Sequence, residues 1–187
     1  DNEANVKTKE GVKIGAHVDG VWKGGITVVK ADRDLDGQPS KPEGDGSLAG
    51  IKYSIVNKSI NKVHVDGKTY EKGQEVMQIT TKLNEQTGRY EATTGANVLP
   101  YGTYDIIEVE ANESYNKGDY VKTISIREDG EMVILDKDSG ELQRNINAVK
   151  RGGVSVTKFD RELGQSKPLG EAKLDGVVYE IVNKSQN

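Results

Sequence analysis

Short runs of alternating apolar and polar residues, each closed by a turn signal, fill this chain. Ile26, Val28 and Lys30 share one strand face, and Thr27 and Val29 share the other. Tyr53 and Ile55 alternate with Lys52 and Ser54. Residues 63–70 read as a hairpin, because Asp66-Gly67 supplies the positive φ values of a tight two-residue turn. Residues 76–81 and 89–94 are further strands joined through Gln86-Thr87-Gly88. Residues 104–110, 120–127 and 132–136 complete the set, with Asp129-Gly130 as a second hairpin turn. Leu99-Pro100-Tyr101-Gly102-Thr103 reads as a turn. Seven or more short strands with frequent turns predict an all-β sandwich of Ig-like architecture.

The pattern occurs twice. Ile26-Thr27-Val28-Val29-Lys30-Ala31-Asp32 is echoed by Val154-Ser155-Val156-Thr157-Lys158-Phe159-Asp160. Residues 47–59 are echoed by residues 173–185, ending each time in Ile-Val-Asn-Lys-Ser. Gly24-Gly25 precedes the first copy and Gly152-Gly153 the second. The chain therefore divides into a tandem repeat module at 25–150 and the start of a second, truncated repeat at 151–187. Residues 1–24 read as the tail of an upstream module or a linker. Lys158 corresponds to Lys30, and Asp19 aligns with Asn147.

Composition narrows the function. At 34% hydrophobic and 30% charged, the chain suits a thin sandwich better than a thick core. Net charge is −4 with both signs interspersed, and no basic stripe carries interleaved aromatics, so nucleic acid is not an expected partner. Cysteine is absent, which removes disulfides and thiol chemistry. No apolar run approaches the roughly 20 residues that span a bilayer, so membrane insertion is not expected of this segment. No signal peptide begins at Asp1, so an exported protein would contain this chain as an internal or processed piece. His17 and His64 lie far apart, and no Gly-x-Ser-x-Gly or phosphate loop occurs. No cofactor and no turnover enzyme are expected.

Two ionisable residues break the alternation. Lys30 shares its face with Ile26 and Val28, and Glu108 shares one with Tyr104 and Ile106. Both faces must point inward. A lone buried ammonium sheds its proton or finds a partner. Lys30 and Glu108 therefore form a structural ion pair or a reactive site. A second pattern, Asp32, Asp34, Asp36 and then Glu43, satisfies the EF-hand calcium string. A strand precedes it, Pro39 and Pro42 interrupt it, and the second copy loses it. An acidic surface loop without metal is expected. Trp22 reads as a packing residue beside the module junction.

Gly102-Thr103-Tyr104-Asp105-Ile106-Ile107-Glu108, followed by Ala111 and Tyr115, resembles the Gly-Thr-Tyr-x-x-x-Glu…Ala-Pro-x-Gly-Tyr segment of Cna protein B-type domains. These are the SpaA-like, prealbumin-like modules of Gram-positive pilins and adhesins. Residues 28–32 resemble the family's first strand, which carries a reactive lysine. Residues 147–152 resemble its last strand, which carries an acceptor asparagine. Asn112 and Ser114 stand where the family has Pro and Gly.

The resemblance implies an intramolecular Lys30–Asn147 isopeptide bond assisted by Glu108. Burial would favour a neutral, nucleophilic Lys30 and a protonated Glu108 that polarises the carboxamide. Asn145, two residues earlier, is the alternative acceptor on the same strand face. The resemblance further implies a structural or adhesive stalk module of a cell wall-attached, extracellular protein of a Gram-positive bacterium. Its partners would be neighbouring modules of the same polypeptide. The alternative is an adhesin module recognising host matrix protein or glycan through loops such as 33–46 or 57–75.

Overall fold

The computed structural model describes residues 7–8, 11–12, 19–35, 41–136 and 146–185. Among them the chain is all-β, without a helix. The strands are β1 (Lys7–Thr8), β2 (Gly11–Val12), β3 (Lys23–Val29), β4 (Ala31–Asp32), β5 (Lys52–Asn57), β6 (Val63–Val65), β7 (Lys68–Tyr70) and β8 (Glu75–Thr80). They continue with β9 (Lys82–Asn84), β10 (Arg89–Thr93), β11 (Leu99–Pro100), β12 (Gly102–Glu110), β13 (Val121–Ile126), β14 (Met132–Leu135) and β15 (Ile146–Asn147).

Two sheets enclose the core. One runs β13-β12-β5-β8 and is antiparallel throughout. In the other, β3 is flanked on one side by β11 and β10 and also pairs β14, with β9 beyond β10. Ile26 and Val28 of β3, Tyr53 and Ile55 of β5, Tyr104 and Ile106 of β12, and Ile124 and Ile126 of β13 meet in one hydrophobic cluster. That is the arrangement the alternation predicts, since residues two apart on a strand point to one face.

The turn at Asp66-Gly67 forms as expected, with φ of 48° and 76° between β6 and β7. Asp129-Gly130 does not make a hairpin. Its strand β14 leaves β13 and runs parallel to β3 in the opposite sheet. The turn docks instead on the start of β3, with Lys23 N donating to Asp129 Oδ1 at 3.2 Å and Gly130 N to Lys23 O at 2.8 Å. The apolar 132–135 segment covers the free side of β3, which a hairpin would leave open.

Leu99 to Thr103 is a corner, not a free turn: β11 and β12 meet at Tyr101, and Leu99 is buried. The Gly24-Gly25 pair has a steric reason. A Cβ on Gly24 would lie 2.5 Å from Glu131 O, and one on Gly25 2.0 Å from Gly95 O. Only glycine lets both flanks approach β3 so closely. Residues 151–185 form no strand, and Val154, Val156, Tyr179 and Ile181 are exposed. The first copy buries the equivalent residues against β8 to β14, and residues 151–187 repeat only the stretches around β3 and β5.

Candidate functional site

The site begins with a change of partner on the first strand. β3 pairs β10 as far as Val29, and Lys30 N donates to Tyr90 O at 3.0 Å. Immediately beyond, β4 pairs the last strand, β15, in parallel, with Ala31 opposite Ile146 and Asp32 opposite Asn147. Lys30 therefore sits at the joint where the opening strand passes from the body of one sheet to the closing strand. On the facing sheet, β12 carries Tyr104, Ile106 and Glu108 inward in strict alternation.

These placements bring three polar side chains together inside the protein. Lys30, Glu108 and Asn147 are 0%, 1% and 2% exposed. Lys30 Nζ donates to Glu108 Oε2 at 2.7 Å and to Asn147 Oδ1 at 2.8 Å. Asn147 Nδ2 donates to Glu108 Oε1 at 2.7 Å, closing a ring of three hydrogen bonds. Gly118 N also donates to Glu108 Oε1, at 3.1 Å. Tyr53 lies beneath Lys30, its ring centroid 6.0 Å from Nζ, and Tyr120 meets Tyr53 edge-on at 6.2 Å.

Burial lowers the Lys30 pKa from 10.5 to about 8, while the charge of Glu108 and its hydrogen bond pull it back up. At pH 7 roughly one molecule in ten then carries a neutral amine. No buried side-chain nitrogen or oxygen among the described residues lacks a partner. The arrangement offers a nucleophilic amine, an amide carbonyl within hydrogen-bond reach of it, and a carboxylate touching both nitrogens.

Asn145 and Asp36 lie outside the described residues. The other acidic residues of the calcium string fall into two environments. Asp34 and Glu43 are partly exposed, and both pair with Arg151, at 3.1 and 3.2 Å. Asp32 departs from the acidic surface loop expected of it: it is fully buried. It accepts hydrogen bonds from Tyr115 Oη, Asp34 N and Glu43 N. The three carboxylates approach within 4.8 Å of one another, but Arg151 already supplies a cation and Tyr115 a proton donor there. Strand parity carried the signal for Asp32, since Lys30 inward makes Asp32 inward too.

Asn112, in the position of the resembling segment's proline, ties its turn by hydrogen bonds instead. Its amide donates to Ser47 O and Ala49 O, and its Oδ1 accepts from Ser114 N. Trp22 is not a core residue: it is 55% exposed and meets Tyr101 edge-on at 6.5 Å. Arg127 stacks on Tyr101, 4.8 Å from the ring centroid.

No protein-family model matches the chain, and no curated protein matches it. Among solved structures, the Bacillus anthracis TIE protein aligns with 60% of this chain and 16% of its own, at 24% identity and a TM-score of 0.40. The group B streptococcus pilus 2b backbone protein aligns with 59% of this chain and 38% of its own, at 20% identity and a TM-score of 0.27. The chain thus spans well under two thirds of either protein's length.

Proposed function

We propose that residues 25–150 are a structural module of a cell wall-attached bacterial surface protein, closed by a self-formed amide between Lys30 and Asn147. The observation that carries this reading is the buried hydrogen-bonded ring of Lys30, Glu108 and Asn147. A structural ion pair alone needs no carboxamide at hydrogen-bond distance from the ammonium. Residues 1–24 and 151–187 belong to neighbouring modules or their connections, which are the partners this reading implies.

The chemistry follows from which atom touches which. Glu108 Oε2 takes a proton from Lys30 Nζ and frees its lone pair. Nζ attacks Asn147 Cγ, and the carbonyl electrons move onto Oδ1. Glu108 Oε1, already against Nδ2, returns the proton to that nitrogen, and the C–N bond breaks as Oδ1 reforms the carbonyl. A second Nζ proton leaves through Glu108 to the departing ammonia, so an ammonium ion is released and the new amide keeps one N–H. One C–N bond forms and one breaks, with no oxidant or cofactor. The event occurs once per molecule, which makes it maturation and not turnover.

The bond spans 117 residues of sequence. By analogy with a disulfide, closing such a loop stabilises by about 4–5 kcal/mol. For a stalk, the path of tension matters more. Force applied before Lys23 and after Lys150 would run along β3, across the amide and out through β15, leaving residues 31–146 unloaded. Intact mass under denaturing conditions tests the proposal. A mass lower than the sequence by one ammonia, with a Lys30–Asn147 branched peptide after digestion, is the expected result. The full sequence mass refutes it.

A further inference from the structure

Asp32 and Tyr115 take no part in the chemistry above, yet they sit at its mechanical centre. Asp32 is on β4, which pairs one side of the acceptor strand: Asp32 is opposite Asn147, and Arg33 N donates to Asn147 O at 3.0 Å. Tyr115 is on the segment that takes the strand up just beyond. It bridges Val149, Asn116 N donates to Ala148 O at 2.9 Å, and Lys150 N donates to Ser114 O at 2.9 Å. The two neighbours of the closing strand are therefore separate pieces of chain, 83 residues apart in sequence, joined by the hydrogen bond from Tyr115 Oη to Asp32 Oδ2.

That bond is built into the interior. Asp32 is 0% and Tyr115 1% exposed. The 41–46 loop wraps it: Glu43 N donates to both Asp32 Oδ2 and Tyr115 Oη, each at 3.2 Å. Gly46 packs so closely that an added Cβ would stand 3.3 Å from the Tyr115 ring. Burial, followed by the bond to Asp32, raises the Tyr115 pKa well above the ordinary tyrosine value, so its hydroxyl stays a donor.

Alternation alone cannot select the acceptor. A strand that slips by one residue turns every side chain to the wrong face, but a slip of two restores the face. In Asn145-Ile146-Asn147 such a slip would put a second carboxamide where Asn147 stands. We propose that Asp32 and Tyr115 are a positioning pair, fixing the register of the closing strand so that Lys30 meets Asn147 and not Asn145. The inference rests on the crosslink reading above. It assigns the buried tyrosine and aspartate a role in acceptor choice.

The test reads a gain, which misfolding cannot imitate. In Asn147→Ala the register stays locked, so no ammonia is lost. In Asn147→Ala/Tyr115→Phe the lock is gone, and a measurable share of molecules should lose one ammonia, with peptide mapping giving Lys30–Asn145. Asn147→Ala/Asp32→Asn, which keeps the shape and removes the charge that holds the hydroxyl, is the parallel variant should the first not fold. The inference is overturned if Asn147→Ala alone already links through Asn145. It is equally overturned if a folded double variant keeps its full mass. Native chain without ammonia loss would refute the crosslink itself, and the intact mass of the unsubstituted protein tells that failure apart.

Discussion

Replacing Lys30 by Met isolates the contribution of the proposed covalent tie. Met fills much of the same volume, and Lys30 is wholly enclosed, so little new cavity is expected. Removing a lysine from a buried ion pair ordinarily strands its partner, at about 3–5 kcal/mol. Here the comparison differs. Once the amide has formed, Lys30 carries no charge, so Glu108 faces no cation in either protein. What remains is the closure of a 117-residue span, worth about 4–5 kcal/mol. For a chain of this size each kcal/mol moves Tm by roughly 2–4 °C, so Lys30→Met should melt on the order of 10–20 °C below the native protein. Thermal melting by circular dichroism, run beside intact mass on the same samples, measures both. Melting within two or three degrees of each other (approximate, by the same scaling), while the native mass shows ammonia loss, would refute the loop-closure argument and leave the bond without a stabilising role.

Three further outcomes are expected. Glu108→Ala removes the carboxylate that touches both nitrogens, so its mass should equal the sequence mass even after prolonged incubation; ammonia loss at the native rate would remove Glu108 from the mechanism. In Asn147→Ala the Lys30 amine persists, and its folded pKa of about 8 lies below the unfolded value of 10.5. The unfolded chain then binds more protons between these values, so stability should be flat below about pH 8 and rise through about pH 10.5, by up to about 3 kcal/mol; urea midpoints across that window check the sign, and the crosslinked protein should lack this slope. Ile106→Ala opens a cavity beside the site on a fully buried strand position and should cost about 2–5 kcal/mol by urea titration.

Much of the site was legible because its residues violate a simple pattern. Lys30 and Glu108 stand out only because apolar neighbours two residues away fix the inward face. Asn147 has no such neighbours, since its strand is two residues long; resemblance supplied it. Asp32 was legible by the same parity as Lys30, but the acidic string around it drew attention to charge and away from face. Its partner Tyr115 lies 83 residues away, and no local pattern announces a pairing at that range. The parallel pairing of β14 was hidden for a related reason. Asp129-Gly130 is a sound turn signal, and a turn fixes local geometry without saying which sheet receives the next strand. Trp22 reads as a packing residue beside the module junction, and the corner at Tyr101 gives it a ring to lean on at the surface.

The parallel sense of β4 and β15 has one more consequence. Antiparallel first and last strands would bring both ends out at one pole, and the module would hang from the polypeptide like a pendant on a string. With the two strands running the same way, the backbone comes in at one pole and departs at the other. Ten residues from Lys23 to Asp32, at about 3.3 Å each, set a stride of roughly 30 Å. Where residues 25–150 repeat along a longer polypeptide, as proposed, modules linked in this manner would lie in series, all facing one direction, and the reach of such a filament would grow linearly with their number.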